Sequence, residues 1–244
     1  MKGAFPTIAN VPEVTVAQMV EIDRLMIEDV GISLIQMMEN AGRGLATLVR
    51  ARLGGIVAGR RVQVLAGSGG NGGGAIAAAR RLATWGATVE LGLTRDLDGV
   101  PGAQMDILRR IADVRMLEPD DVGGTDLILD GLIGYSLDGA PRGRALEFIE
   151  AANASGTGIV ALDVPSGLGG GGAVVRADTT LALALPKVGS MDPANERHVG
   201  ALFVSDISVP PALYGRLSPP VEVPSDLFEE FDLARVMPRL GVPG

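Results

Sequence analysis

The sequence predicts an α/β fold: one domain built on a mainly parallel sheet with helices on both faces. Three observations carry this. Short apolar runs alternate with longer segments of helical periodicity through the middle of the chain, the pattern of strand–helix–strand units. Those runs are apolar along most of their length, as strands buried on both faces are. The 35 glycines among 244 residues are about double the usual share. They cluster at 67–74, 131–143 and 167–172, each cluster following an apolar run. Glycine there marks tight turns after buried strands, where backbone comes close to something.

Taken in order, residues 1–14 are polar, carry two prolines and read as an irregular arm. Thr15 caps a first helix, with Gln18 three residues on as in a capping box. Val16, Met19, Val20, Ile22, Met26 and Ile27 then recur near helical spacing. Ser33 caps a second helix that reaches Arg52, where Gly54 and Gly55 stop it. RVQVLAG (61–67), ATVELGL (87–93), DLILDGLIG (126–134) and GIVALDVPSG (158–167) read as strands. Helices follow the first three, over 72–86, 101–114 and 142–156. Two more strands, TTLALALP (179–186) and ALFVSDISVP (201–210), have no obvious helix between them. The domain is expected to span 1–217, leaving 218–244 as a Pro-rich tail in which DLFEEFDLARVMPRL forms one short helix.

Composition excludes several classes. The net charge is −8 and no basic run exceeds two residues, so the counterion-displacing footprint of a nucleic-acid binder is missing. There is no cysteine, which removes disulfides and thiol catalysis. No stretch approaches the ~18 apolar residues of a membrane span, and the start lacks a signal-peptide pattern. A cytoplasmic protein is the default expectation. The Met19, Met26, Met37, Met38 and Met105 side chains read as core filler, and the Arg pairs at 60–61, 80–81 and 109–110 as solvated faces.

The chemistry gathers at strand ends. Gly67-Ser-Gly-Gly-Asn71-Gly-Gly-Gly74 follows the first strand and opens a helix, so its N–H groups and the helix dipole favour an anion. It also satisfies GxGxxG, with Glu90 placed like a ribose-binding acid, though either a plain tight turn or a dinucleotide site fits that pattern. Asp130 ends the third strand and Asp163 the fourth, followed by the rigid Pro165-Ser166-Gly167 turn. Each alone could merely stabilise its turn. Together, Asn71, Asp130, Asp163 and Ser166 bring oxygen-bearing side chains to one rim, a set suited to a hard cation rather than zinc. Lys187, after the TTLALALP strand, either reaches an anion at that rim or is solvated. His198, the one histidine, reads as a surface residue.

Read together, VTVAQMVEIDRLMIEDVGIS, QMMENAG, GSGGNGGGAIAAARRL, DGLIGYSLDGAPRG, IVALDVPSG, ADTTLALALPK and FVSDISVP resemble the NAD(P)H-hydrate epimerase family, also called the YjeF N-terminal domain. These segments occur in family order over roughly residues 14–215. The resemblance implies a Rossmann-like three-layer sandwich, often dimeric. It implies an enzyme that interconverts the R and S forms of hydrated NADH and NADPH, which carry a hydroxyl at C6 of the nicotinamide ring. It also implies a bound potassium ion, with Asn71, Asp130 and Ser166 as its ligands. Substrate contacts fall on Gly70, Asn71, Gly72, Gly73 and Gly74, on Gly134, Tyr135, Ser136, Leu137, Asp138, Gly139 and Ala140, and on Asp163, which is also the proton-transfer candidate.

The resemblance departs at one place. The family loop GNNGGDG reads GGNGGGA here, so Gly70 and Gly74 stand where an Asn and an Asp are usual. Lost hydrogen-bonding groups cost about 1–3 kcal/mol each, which leaves a non-catalytic nucleotide-binding or scaffold module as the alternative to an epimerase. An ordinary dehydrogenase would need a hydride-transfer constellation that the sequence lacks. Longer family members carry a fused ATP- or ADP-dependent dehydratase domain, and FDLARVMPRLGVPG looks like the start of such a linker. A separate dehydratase partner is therefore expected, along with homodimerisation through the N-terminal helices.

Overall fold

A computed structural model describes residues 5–136 and 139–237. Both predicted helix starts are capped as their spacing requires. The Thr15 hydroxyl accepts from the Gln18 N–H at 3.2 Å, and the Gln18 amide oxygen accepts from the Thr15 N–H at 2.8 Å. This satisfies donors that a helix start leaves without partners. Helix α1 (Val16–Arg24) runs into a wider π-helical segment, Leu25–Val30, closed by Gly31 with φ +85°. At the second start, Gln36 Oε1 accepts from the Ser33 N–H at 2.8 Å and α2 spans Leu34–Arg52.

The alternation then appears as expected: β2 (Arg61–Ala66), α3 (Gly70–Thr84), β3 (Thr88–Leu93), α4 (Gly99–Ile111), β5 (Leu127–Gly131), α5 (Arg144–Ala154), β6 (Ile159–Leu162), β7 (Thr179–Leu183) and β8 (Ala201–Ser205). Short elements fill the gaps, with β1 at Thr7–Ile8, β4 at Arg115–Met116, a one-turn α6 at Glu196–Val199 and β9 at Leu233–Val236. The described residues form one nine-stranded sheet in the order β1-β9-β8-β7-β6-β5-β2-β3-β4. Every pairing is parallel except β8 with β9.

Two sequence expectations are corrected. The arm over residues 1–14 contains an edge strand, since Thr7 pairs with Arg235 and Ile8 with Val236. The tail does not end in a helix, because LARV enters the sheet as β9, with Ala234 opposite Val204. Leu227, Phe228 and Phe231 pack onto the same end of the core, so residues beyond 217 belong to it. Residues 233–236 alternate too briefly to announce a strand; an available sheet edge decides their state.

Period-two alternation divides the core into two faces. Val62, Val64, Leu91, Leu129, Val160 and Leu162 meet the apolar sides of α2, α3 and α4. Leu65, Ile128, Ile159 and Ala161 meet Phe148, Ile149 and Ala152 of α5. Helices α2 and α3 cross closely: a Cβ at Gly42 would stand 2.6 Å from Ala77 Cβ. Between them Glu39 binds Arg80 and accepts from Gln104 of α4 at 2.9 Å. The MENAG segment thus ties three helices together.

The topology positions a site. From β2 the chain builds outward through β3 to β4, then returns to lay β5 on the other side of β2 and continues to β8. The loops leaving β2 and β5 diverge at this switch and open a crevice at the carboxyl ends of the strands.

Candidate active site

At the end of β2 the backbone is forced close to its neighbours. The Gly67 N–H donates to Gly131 O at 3.1 Å, and a Cβ at Gly67 would fall 2.0 Å from Leu132 O. A Cβ at Gly72 would fall 1.8 Å from Gly67 O, so the first turn of α3 folds back onto the loop. Only glycine fits either position. Gly73 and Gly74 are equally buried: their missing side chains point at Met38 and at Leu162 and Ala41. Of the loop residues expected to contact substrate, Gly70 and Asn71 line the cavity described next together with Gly67 to Gly69, whereas Gly72, Gly73 and Gly74 lie outside that lining. Gly70 opens outward, with nothing nearer its absent Cβ than Leu34 at 3.9 Å and Met38 at 4.0 Å.

The crevice is a cavity of about 610 Å³, within the usual size range of small-molecule sites. Met19, Leu34, Met37, Met38 and Ile207 form an apolar wall, so three methionines read as filler also shape the site. One end carries Arg95, Arg142 and Arg144 beside the start of α3. Arg95 Nε donates to Ser68 Oγ at 2.6 Å, and Arg144 Nε donates to Leu93 O at 2.8 Å. The opposite end carries Asp23, Tyr135, Asp163 and Lys187.

Below the loop lies a second layer. Asp130, fourth in β5, is fully buried. Its carboxylate accepts from Ser166 Oγ at 2.5 Å, Ser166 N at 2.8 Å and Leu132 N at 3.2 Å. The Ser166 hydroxyl in turn accepts from the Ile133 N–H at 2.8 Å, fixing the strand-end loop that lines the cavity. No cation of the described residues pairs with Asp130. Burial pushes its carboxyl up to about 6, although the Ser166 and Leu132 hydrogen bonds pull the other way. Above it, both amide atoms of Asn71 are buried without a protein partner. A Cβ on Gly134 would lie 3.3 Å from Asn71 Cβ, so the two strand-end loops meet there.

Asp163 is built differently. It is 3% exposed and forms an ion pair with Lys187, also 3% exposed. The Lys187 ammonium also donates to Leu183 O at 2.8 Å and Leu185 O at 3.2 Å. Two tight turns with positive φ flank the ion pair. Asp163 (φ +70°) is bridged by a bond from Val164 N to Leu162 O, and Ala184 (φ +61°) by one from Leu185 N to Leu183 O. Such γ-turns are strained by about 1–3 kcal/mol each and cluster at functional sites. Lys187 is therefore neither solvated nor free for an anion. Its Nζ sits 5.6 Å from the Tyr135 ring centre, and the Tyr135 hydroxyl donates to Asp23 of α1.

Residues 34–189 match the family described as the YjeF-related protein N-terminus. The chain belongs to that family. A YjeF relative from Dehalogenimonas lykanthroporepellens, named NAD(P)H-hydrate epimerase, is 46% identical over 83% of this chain and 84% of its own. One of the same name from Rhodopirellula baltica is 34% identical over 86% and 90%. A bifunctional NAD(P)H-hydrate repair enzyme from Thermofilum pendens is 31% identical over 79% of this chain but 39% of its own. The crystal structure of the yeast protein ynu0 shares the YjeF fold, with a TM-score of 0.72 at 21% identity, covering 92% of this chain and all of that one.

Of the residues singled out by sequence, Gly70, Asn71, Gly134, Tyr135, Ser136 and Asp163 line the cavity, and Asp130 with Ser166 supports it from below. Gly139 and Ala140 are exposed outside its lining, while Leu137 and Asp138 lie outside the described residues. Glu90 is not a ribose-binding acid: it sits low in β3, hydrogen-bonded to Gln63 at 3.0 Å and Arg115 at 3.1 Å. His198 touches Val175 O and Arg197, away from the cavity. Sequence reasoning missed Asp23, which lies on a helix with no strand end to mark it, and the arginine end of the cavity.

Proposed function

We propose that this chain is an NAD(P)H-hydrate epimerase. The observation that carries the reading is one cavity walled by the glycine loop at the start of α3 on one side and by a buried, ion-paired Asp163 on the other. Its relatives' names point the same way. The α3 N-terminus and the three arginines suit the pyrophosphate of a dinucleotide. The apolar methionine wall suits a planar ring. Asp163, with Lys187 as its counter-ion, is the proton-transfer group at the hydrated nicotinamide.

The residues present fit a potassium ion. Asn71 offers an unpartnered buried amide oxygen, Ser166 a hydroxyl, and Asp130 a buried carboxylate with no protein cation, an all-oxygen set matched to a hard ion. Bound there, the ion would neutralise Asp130 and stiffen the two loops that meet at Asn71 and Gly134. The protein's own part is to hold the Ile133 backbone through Ser166 and so fix Gly134 and Tyr135 against the substrate.

The loop departures enter the same reading. Gly70 removes a side chain that would reach the cavity, whereas Gly74 removes one aimed at Leu162 and Ala41. Weakened substrate binding is expected from the first alone. A homodimer through the N-terminal helices accords with the exposed Val16, Val20, Ile27, Val30 and Ile35, and light scattering tests it. The bifunctional relatives accord with a separate dehydratase in the same cell, and a cytoplasmic location follows from such a substrate. No helix of the described residues is long and apolar enough to cross a membrane.

The test supplies R-form hydrated NADPH, with an S-specific ATP-dependent dehydratase reporting the product, with and without potassium. Conversion above the spontaneous rate supports an epimerase. Binding without acceleration would replace it with the nucleotide-binding module.

A further inference from the structure

Inverting a hydroxyl-bearing carbon bonded to a ring nitrogen needs two proton-handling groups. The C6–N1 bond opens when one group removes the hydroxyl proton, giving a C6 carbonyl, while the other gives a proton to N1 as it takes the bonding pair. Rotation about C5–C6 and the reverse transfers close the ring on the other face. No electrons are gained or lost overall, and both groups regain their starting states. The Asp163–Lys187 pair supplies one of the two, with Asp163 passing the proton to N1 and Lys187, its ion-pair partner, replenishing it.

We propose that Asp23 is the second catalytic residue, the base that takes the hydroxyl proton, with Tyr135 as its positioning partner. This rests on the epimerase reading. Four titratable side chains converge at this end of the cavity, from four segments of the chain: Asp23 on α1, Tyr135 after β5, Asp163 after β6 and Lys187 after β7. Asp23 and Tyr135 are joined by a hydrogen bond across 112 residues of sequence. Tyr135 faces Lys187 through its ring, so the two polar pairs form one continuous wall. Asp23 has no salt bridge among the described residues. Its charged neighbours Arg24, Glu21, Glu28, Asp29 and Arg216 pair with one another on the exposed side of the helix.

The environments of the two carboxylates separate their roles. Asp163 is committed to a buried cation. Burial raises the Asp23 carboxyl above its ordinary value, the Tyr135 hydrogen bond and the Lys187 charge pull it down, and the Asp163 charge adds a smaller upward push. A carboxylate made more basic than usual suits a general base.

The experiment measures kcat and KM for R-form hydrated NADPH against pH, for the native chain, Asp23→Asn and Tyr135→Phe. Asp23→Asn is expected to lower kcat by about 10²–10⁴ with KM changed less than about threefold. Tyr135→Phe removes the hydrogen bond that holds Asp23 down, so the acid limb of kcat/KM is expected to move to higher pH, alongside the loss of kcat or rise in KM that altering a substrate contact brings. Native-level kcat in Asp23→Asn, or an unmoved acid limb in Tyr135→Phe, overturns the role of Asp23 while leaving the epimerase intact. A native chain without epimerase activity overturns the function itself. Should Asp23→Asn not fold, the Tyr135→Phe limb decides.

Discussion

Two adjacent strand ends bury a carboxylate each, and they do it in opposite ways. Asp130 at the end of β5 is surrounded by neutral donors only, while Asp163 after β6 brings its own cation, Lys187. Burying a charge is costly unless it is paired or hydrogen-bonded. The Asp163 site meets that cost from within the chain, at the further cost of two strained turns. The Asp130 site has three hydrogen bonds but no cation of its own, and the proposed potassium ion would supply one. The difference teaches which part of the cavity is self-sufficient and which responds to conditions: the Asp163 wall should be insensitive to ions, and the Asp130 floor should not.

The largest effect should come from splitting the internal pair. Lys187→Met leaves Asp163 buried without a counter-charge and is expected to destabilise the fold by about 3–5 kcal/mol, read from urea unfolding. Adding Asp163→Asn should restore much of that loss, since Asn tolerates the positive φ at 163. An additive double variant would break the contrast.

Next is the floor. The Asp130 carboxyl lies higher in the fold than in the unfolded chain, so its ionised form is the disfavoured one. The stability cost is absent at low pH, grows as pH rises from about 4, and is complete above about 6. A shift of about two units corresponds to roughly 3 kcal/mol. In choline buffer the protein is expected to lose most of that amount between about pH 4 and pH 7, and potassium to restore it. Asp130→Asn should flatten both responses, and a potassium response that survives in that variant would remove Asp130 from the ion site.

Gly70→Asn returns an amide to open space facing the cavity. Tighter substrate binding by one to two decades is expected, with little change in stability. Gly74→Asp should instead destabilise, because its side chain meets Leu162 at 3.1 Å. Calorimetric titration and thermal unfolding separate the two.

The smallest effect belongs to a carboxylate at the wrong end of the sheet. Burial would raise the Glu90 carboxyl, but bonds from Gln63 and Arg115 and the charges of Arg61 and Arg115 hold it low. Its stabilising contribution is present above the ordinary carboxylate range and fades as pH falls through the lowered value. Glu90→Gln is expected to cost about 1 kcal/mol and leave epimerase kinetics unchanged.

The sequence by itself determined the alternating core, both helix caps, and the strand-end position of Asn71, Asp130, Asp163 and Ser166. These are local matters: periodicity of 2 and 3.6, a hydroxyl three residues before an amide, a glycine after an apolar run. Tertiary structure alone decided the rest. LARV became a strand because β8 left an edge for it, and Gly73 and Gly74 turned inward because α2 crosses α3 at their level. Lys187 became a buried counter-ion because β6 and β7 are neighbours in the sheet. Asp23 entered the site only when α1 packed beside the loop carrying Tyr135. A side chain's type can be read along the chain, but the charge it faces is set by segments far away in sequence, and that pairing is what makes a carboxylate a base, an ion ligand or a strut.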